Sequence, residues 1–294
     1  MRKTYRRVCA AVLCLSAFLC SALCGCGGRT GISKTDQIQD SAADDLQESA
    51  TDDTDASEKF PDEIRKRGYL TVGCKTDVPG LSFYDEKTDT WSGLEVELAW
   101  QTAAGLFGVG ISEAKEQELV RFVGVTVADR EEKLESGEAD CLFATYTITE
   151  ERKQKFAFSD SYYTDYIGLM VRTAGENPNS LGSSEIRSIA DLDGKKIGVA
   201  KNATTRKMFL DYMELMNNIK TAPVFLEYKS YEALFAALKE GTIDVMAVDV
   251  SILNGYVDRS TKILNDRFGG QRYGVAVRKE HAGLLVYVNA ALKQ

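Results

Sequence analysis

From Phe60 onward the chain alternates short apolar, β-branched runs with longer amphipathic stretches, the order of an α/β fold. The pattern predicts strands at Tyr69–Cys74, Leu119–Val123, Cys141–Thr145, Ile197–Ala200, Val224–Tyr228 and Ile243–Val248. Between them it predicts helices at about Leu94–Phe107, Val127–Ser136, Thr204–Met216 and Tyr231–Lys239, the last capped by Ser230. An internal echo ties the two halves together. Leu134-x-x-Gly137-x-x-Asp140 and Leu238-x-x-Gly241-x-x-Asp244 share one spacing, in which a helix ends, the chain turns at glycine and an apolar strand begins. Thr145 and Asp249 follow at matching places beyond the carboxyl ends of those strands, where open α/β sheets bind ligands. Two such sheets facing each other would put Thr145 on one wall of a cleft and Asp249 on the other. A helix-glycine-strand unit is also common supersecondary grammar, so the echo stands beside that plainer reading.

The pattern before Phe60 is different. Arg2, Lys3, Arg6 and Arg7 precede an uncharged run from Val8 to Leu23, which is shorter than the ~18 to 20 residues of a spanning helix and reads as an export signal over residues 1–25. Leu23-Cys24-Gly25-Cys26 resembles a bacterial lipobox, with Cys26 as the thiol that receives diacylglycerol; Cys24 is atypical at its position. Residues 26–59 follow as an acidic tether. From Gly27 to Lys59 nine acids stand against three bases with no aromatic residue, too little apolar surface to offset the conformational entropy of folding. Five of the seven cysteines lie in the export segment and at Cys26 just after it, and Cys74 and Cys141 sit in apolar strands, which favours two buried free thiols over a bridge.

Length and charge narrow the function. The 294 residues allow one large domain or two lobes. With 36 basic and 44 acidic residues the net charge is −8, a poor start for nucleic-acid binding. His281 is the one histidine, which excludes any two-histidine mechanism. It sits in the polar run Arg278-Lys279-Glu280-His281 and reads as solvent-exposed. No glycine-rich Lys-Ser/Thr phosphate loop is present, and neither a catalytic function nor a cofactor is expected.

Several separated motifs in order carry a resemblance. They are Arg67-Gly68-Tyr69-Leu70-Thr71-Val72-Gly73, Gly93-Leu94-Glu95-Val96-Glu97-Leu98-Ala99, Thr145-Tyr146-Thr147-Ile148-Thr149-Glu150-Glu151-Arg152, Phe158-Ser159-Asp160-Ser161-Tyr162-Tyr163, Asp191-Leu192-Asp193-Gly194-Lys195 and Tyr273-Gly274-Val275-Ala276-Val277. From about Ile64 to Lys293 the chain resembles the extracellular solute-binding proteins for polar amino acids, with the two-lobe type II periplasmic-binding-protein fold that feeds ATP-driven importers. Ala203-Thr204-Thr205-Arg206-Lys207 and the stretch from Asp249 to Asp258 are most similar to the aspartate/glutamate-binding branch. The resemblance implies an amino-acid ligand, an ABC permease as partner, no nucleic acid, a monomer, and a place outside the cytoplasm on a lipid anchor. It divides the body into lobe 1 (60–167 plus 276–294) and lobe 2 (168–275), hinged near Tyr166–Val171 and Tyr273–Val277. It also leads one to expect ~15 to 20 further residues beyond Ala290–Lys293, in a helix on lobe 1.

Site roles come from the same resemblance. Arg152 matches the position whose guanidinium meets the ligand α-carboxylate, a pairing suited to two parallel hydrogen bonds. Thr145 and Thr147 match positions that add backbone and hydroxyl contacts, and Asp249 matches the carboxylate that receives the ammonium. Arg130 sits where the acidic branch places a second arginine. Lys75 ends the first strand at the same mouth, and Thr204 and Thr205 open a helix whose free N–H groups favour an anion. Three cations against one anion favour a ligand with two carboxylates. Tyr146, with Tyr84 a further candidate, covers the ligand backbone. Plainer readings compete: a surface charge for Arg152, a helix N-cap for Asp249, a helix-surface pair for Arg130, core for Tyr146. A glutamine-type binder, an adhesin or sensor with the same cleft, and an amino-acid dehydratase remain as rivals.

Overall fold

The computed structural model describes residues 59–173, 186–216 and 222–294; the export segment, Cys26 and the acidic tether to residue 58 lie outside the described residues. The first elements are α1 (59–67), β1 (Leu70–Lys75), β2 (Asp77–Val78), β3 (Ser82–Asp85), β4 (Thr90–Ser92), α2 (Leu94–Phe107) and α3 (Ile111–Glu116). Next come β5 (Val120–Val125), α4 (Arg130–Glu135), β6 (Cys141–Phe143), α5 (Glu150–Lys153) and the 17-residue β7 (Phe156–Arg172). The remainder is β8 (Lys196–Ala200), α6 (Thr205–Met216), β9 (Val224–Tyr228), α7 (Tyr231–Glu240), β10 (Val245–Asp249), α8 (Val250–Tyr256), β11 (Thr261–Ile263), β12 (Phe268–Arg278) and α9 (Leu285–Ala291).

The large sheet runs β5-β1-β6-β12-β7-β10-β8-β9, with β11 beside β7. β5, β1 and β6 are mutually parallel, as are β10, β8 and β9, and the antiparallel pair β12/β7 joins the two sets. This is the expected two-lobe α/β fold. Each parallel set is covered on both faces, so its strands read as continuous apolar runs rather than alternating ones. In β10, Val245 and Ala247 face one core with Phe209, while Met246 and Val248 face another with Leu234. In the other set, Leu70, Val72 and Cys74 of β1 pack beneath α2 and α9, and Leu142 of β6 packs with Leu134 of α4 on the opposite face.

Several boundaries differ from the sequence pattern, each for a local reason. The strand predicted over Cys141–Thr145 ends at Phe143, and Thr145 turns to φ +45°. The helix predicted from Val127 begins at Arg130, because Asp129 Oδ1 accepts the Thr126 N–H at 2.7 Å and closes a turn first. The crossovers near Tyr166–Val171 and Tyr273–Val277 lie inside β7 and β12, whose pairing shifts register around Gly270 and Gly274. The small sheet β2-β3-β4 was not anticipated. His281 is half-buried rather than exposed: its ring stacks on Phe60 at 3.4 Å and Nδ1 lies 2.9 Å from Arg278 Nη2. Cys74 and Cys141 are buried and free. No helix of the described residues is long and apolar enough to cross a membrane.

Candidate functional site

The carboxyl ends of both parallel sets converge on one narrow cleft. Arg130, Thr145 and Thr147 line it from one half; Ala200, Thr204, Thr205, Tyr231 and Asp249 line it from the other. The topology explains the convergence. Thr145 follows β6, Ala200 ends β8, Asp249 ends β10, and Thr205 and Tyr231 open α6 and α7.

Arg130 is 3% exposed. Its Nη1 donates to Ala144 O at 2.7 Å and to Thr145 O at 3.3 Å, and its guanidinium lies 4.6 Å from the Tyr146 ring centroid. Its Nε is buried and meets no acceptor among the described residues. A buried guanidinium N–H left without an acceptor costs free energy, so this group is incomplete by itself. Burial excludes the helix-surface reading of Arg130.

Thr145 is held from behind. Glu95 Oε1 accepts its N–H at 2.6 Å and also the Tyr162 hydroxyl. These bonds support a left-handed backbone, which costs of order 1–3 kcal/mol at a non-glycine residue. The Thr145 hydroxyl, close to Tyr231, makes no well-formed hydrogen bond. Burial pushes the Glu95 carboxyl above its ordinary range, against the bonds from Tyr162 and Thr145.

Asp249 stands at the opposite wall. It occupies the N-cap position of α8 but makes no capping bond; its carboxylate instead accepts the Tyr273 hydroxyl. Burial, with Asp165 nearby, pushes its pKa up to about 7. An ammonium group against it would restore the ionised form.

A family model for the bacterial extracellular solute-binding proteins, family 3, matches residues 70–294. The chain belongs to this family. Among similar proteins are the ABC transporter glutamine-binding protein GlnH of Bacillus subtilis, 28% identical over 97% of this chain and 90% of its own length, and the glutamate-binding protein GluB of Corynebacterium efficiens, 25% identical over 78% and 74%. The arginine-bound form of a truncated ArgBP from T. maritima superposes with a TM-score of 0.64 at 29% identity, covering 79% of this chain and 98% of that one.

Within this solute-binding protein the other sequence-selected residues sit around the cavity rather than in its wall. Arg152 is 7% exposed, not a surface charge. Its Nη1 donates to Thr147 O at 2.8 Å, its Nη2 to Asn202 O at 3.0 Å in the opposite half, and Glu131 lies 3.8 Å from Nε. Burial and the neighbouring Arg130 lower its pKa to about 10, which leaves it charged at neutral pH. Tyr146 is fully buried beneath both arginines, with Arg152 at 4.1 Å from its ring centroid and its hydroxyl on Glu131. Lys75 is also fully buried and pairs with Asp77 at 2.6 Å. The charge count of the sequence reading therefore drops by one cation, because Asp77 was left out of it. Tyr84 hydrogen-bonds Asp89 at the surface.

Sequence reasoning missed Tyr231, Gln271 and Glu95. Tyr231 follows β9 as Asp249 ends β10, so the strand-end rule that selected Asp249 also points to it. Gln271 Oε1 accepts both the Thr147 hydroxyl at 2.6 Å and the Thr204 hydroxyl at 3.0 Å, which ties the two halves beside the cavity. Nothing local in the sequence marks that role.

Proposed function

We propose that this solute-binding protein captures an amino acid, with acidic side chains preferred, and delivers it to an ABC importer. The observation that carries the reading is a cleft lined by Arg130 and Thr145 on one wall and Asp249 on the other, with the Arg130 Nε and the Thr145 hydroxyl lacking well-formed partners. A zwitterion supplies both missing partners: its carboxylate accepts from the arginines and the threonines, and its ammonium faces Asp249. Arg152 holds the α-carboxylate by exchanging its carbonyl partners for ligand oxygens. Arg130, assisted by the opening turn of α6, receives the side-chain carboxylate.

A second reading, a neutral polar amino acid such as glutamine, draws on the Lys75–Asp77 pair, which withdraws one cation from the site. The named relatives support both: GlnH is named for glutamine and GluB for glutamate. A thermal-shift and calorimetric panel of the twenty amino acids tests the proposal. Glutamate or aspartate is expected to give the largest shift. A response to glutamine alone would favour the second reading, and no response to any amino acid would refute both.

In this account the lobes are 60–167 plus 276–294 and 168–275, and the register-shifted stretch of β7 and β12 is the hinge. The ligand drives closure through its contacts to both walls. Cys26 carries the lipid that keeps the monomeric receptor outside the cytoplasm near its permease.

A further inference from the structure

The Lys75–Asp77 pair lies between the halves. Asp77 belongs to β2, yet its Oδ2 accepts the Tyr231 N–H at 3.3 Å and its backbone oxygen accepts the Tyr256 hydroxyl at 2.8 Å. Lys75 Nζ lies 2.6 Å from Asp77 Oδ1 and 4.1 Å from the centroid of the Tyr231 ring, and Tyr231 lines the cavity. Both ionic side chains are buried, Lys75 at 0% and Asp77 at 6% exposure. Burial disfavours a bare ammonium at Lys75, so without Asp77 a ligand carboxylate would take over that role, and Lys75 would then act on the side chain as a positive charge. With Asp77 beside it, the ligand meets a neutralised pair whose field falls off faster with distance.

We propose that Asp77 is a specificity-determining residue, which sets the balance between carboxylate and carboxamide side chains by pairing Lys75 behind the Tyr231 wall. The proposal rests on amino-acid capture in this cleft and concerns how the cleft tells two such ligands apart. Asp77 touches no ligand in this scheme; it works through Lys75, whose cation it offsets. The same carboxylate joins the two halves, so a purely structural role would change the affinity of every ligand alike. A charge role changes the ratio between two ligands of nearly equal shape.

The test compares L-glutamate and L-glutamine by calorimetry, with displacement titration where one binds weakly. Asp77→Asn keeps the shape and removes the charge, and is expected to shift the dissociation-constant ratio toward glutamate by at least tenfold, the effect of one added charge about 12 Å away or nearer at an effective dielectric near 20. Lys75→Met leaves Asp77 as a bare anion and is expected to shift the ratio toward glutamine by a similar factor. In the double variant the further effect of Asp77→Asn should favour glutamate less than it does beside Lys75, since the cation it releases is gone. Either single variant suffices if the other does not fold. A ratio within threefold of the wild type in the folded single variants would overturn the proposal, as would an undiminished effect of Asp77→Asn without Lys75. Failure of the wild-type protein to bind any amino acid would instead overturn the functional reading, and this inference with it.

Discussion

Arg152→Ala is the most informative single perturbation. The guanidinium is 7% exposed and donates to Thr147 O at 2.8 Å and to Asn202 O at 3.0 Å, one bond within its own half and one across the cleft. Removing it from the empty protein deletes two bonds to carbonyls and a ring contact with Tyr146, while Glu131 keeps Lys155 at 3.6 Å and the Tyr146 hydroxyl. The stability cost should therefore be modest, about 1–3 kcal/mol. Binding loses far more, because the ligand carboxylate enters the closed cleft without its charged partner. Truncating one side of a buried charge pair costs ~2 to 5 kcal/mol, which is roughly 30-fold to a few thousand-fold in affinity. Calorimetry against the preferred amino acid measures the loss, and circular dichroism confirms the fold. A change of less than threefold in a folded variant would remove Arg152 from the site.

Three further outcomes follow from the same geometry. Asp249 has a pKa of about 7 against an ordinary 3.8, so between those values the native empty cleft binds more protons than the unfolded chain. Stability from this group therefore falls as pH rises through that window. A ligand ammonium needs the ionised form, so affinity measured by calorimetry should weaken below about pH 7 by up to tenfold per unit and level off above it; a flat profile from pH 5 to 8 would contradict the role. Glu95→Ala frees the Thr145 N–H and should weaken binding about tenfold or more, while Glu95→Gln, which still accepts that bond, should stay near the wild type; equal losses in both would discount the positioning role. A Cβ at Gly255 would lie 2.9 Å from Pro79 Cδ on the facing half, so Gly255→Val should impede closure and raise the dissociation constant without unfolding the chain, as read by titration and thermal melts.

The α/β class was legible because each half buries both faces of a parallel sheet, and the resulting apolar runs of β1, β5, β8 and β10 are visible in sequence. The strand-end echo points to Thr145 and Asp249 on opposite walls, where both line the cleft, since that rule depends on connectivity alone. Side-chain partnerships were legible only in part. Asp77 turns Lys75 from a free cation into half of a pair; their i, i+2 spacing permits a shared face in extended chain but does not require a contact. Glu95 reaches Thr145 across 50 positions of sequence, and spacing carries no trace of that contact. The long strands β7 and β12 escaped for a different reason: Ser159, Asp165 and Gln271 are polar residues buried within them, which breaks the apolar run that marks a central strand.

The most direct measurement is a crystal structure of the protein grown with L-glutamate. One molecule is expected between the halves, its ammonium within hydrogen-bond distance of the Asp249 carboxylate and its two carboxylates on Arg152 and Arg130. Glutamate bound elsewhere, or bound in the cleft with its ammonium turned away from Asp249, would contradict this placement.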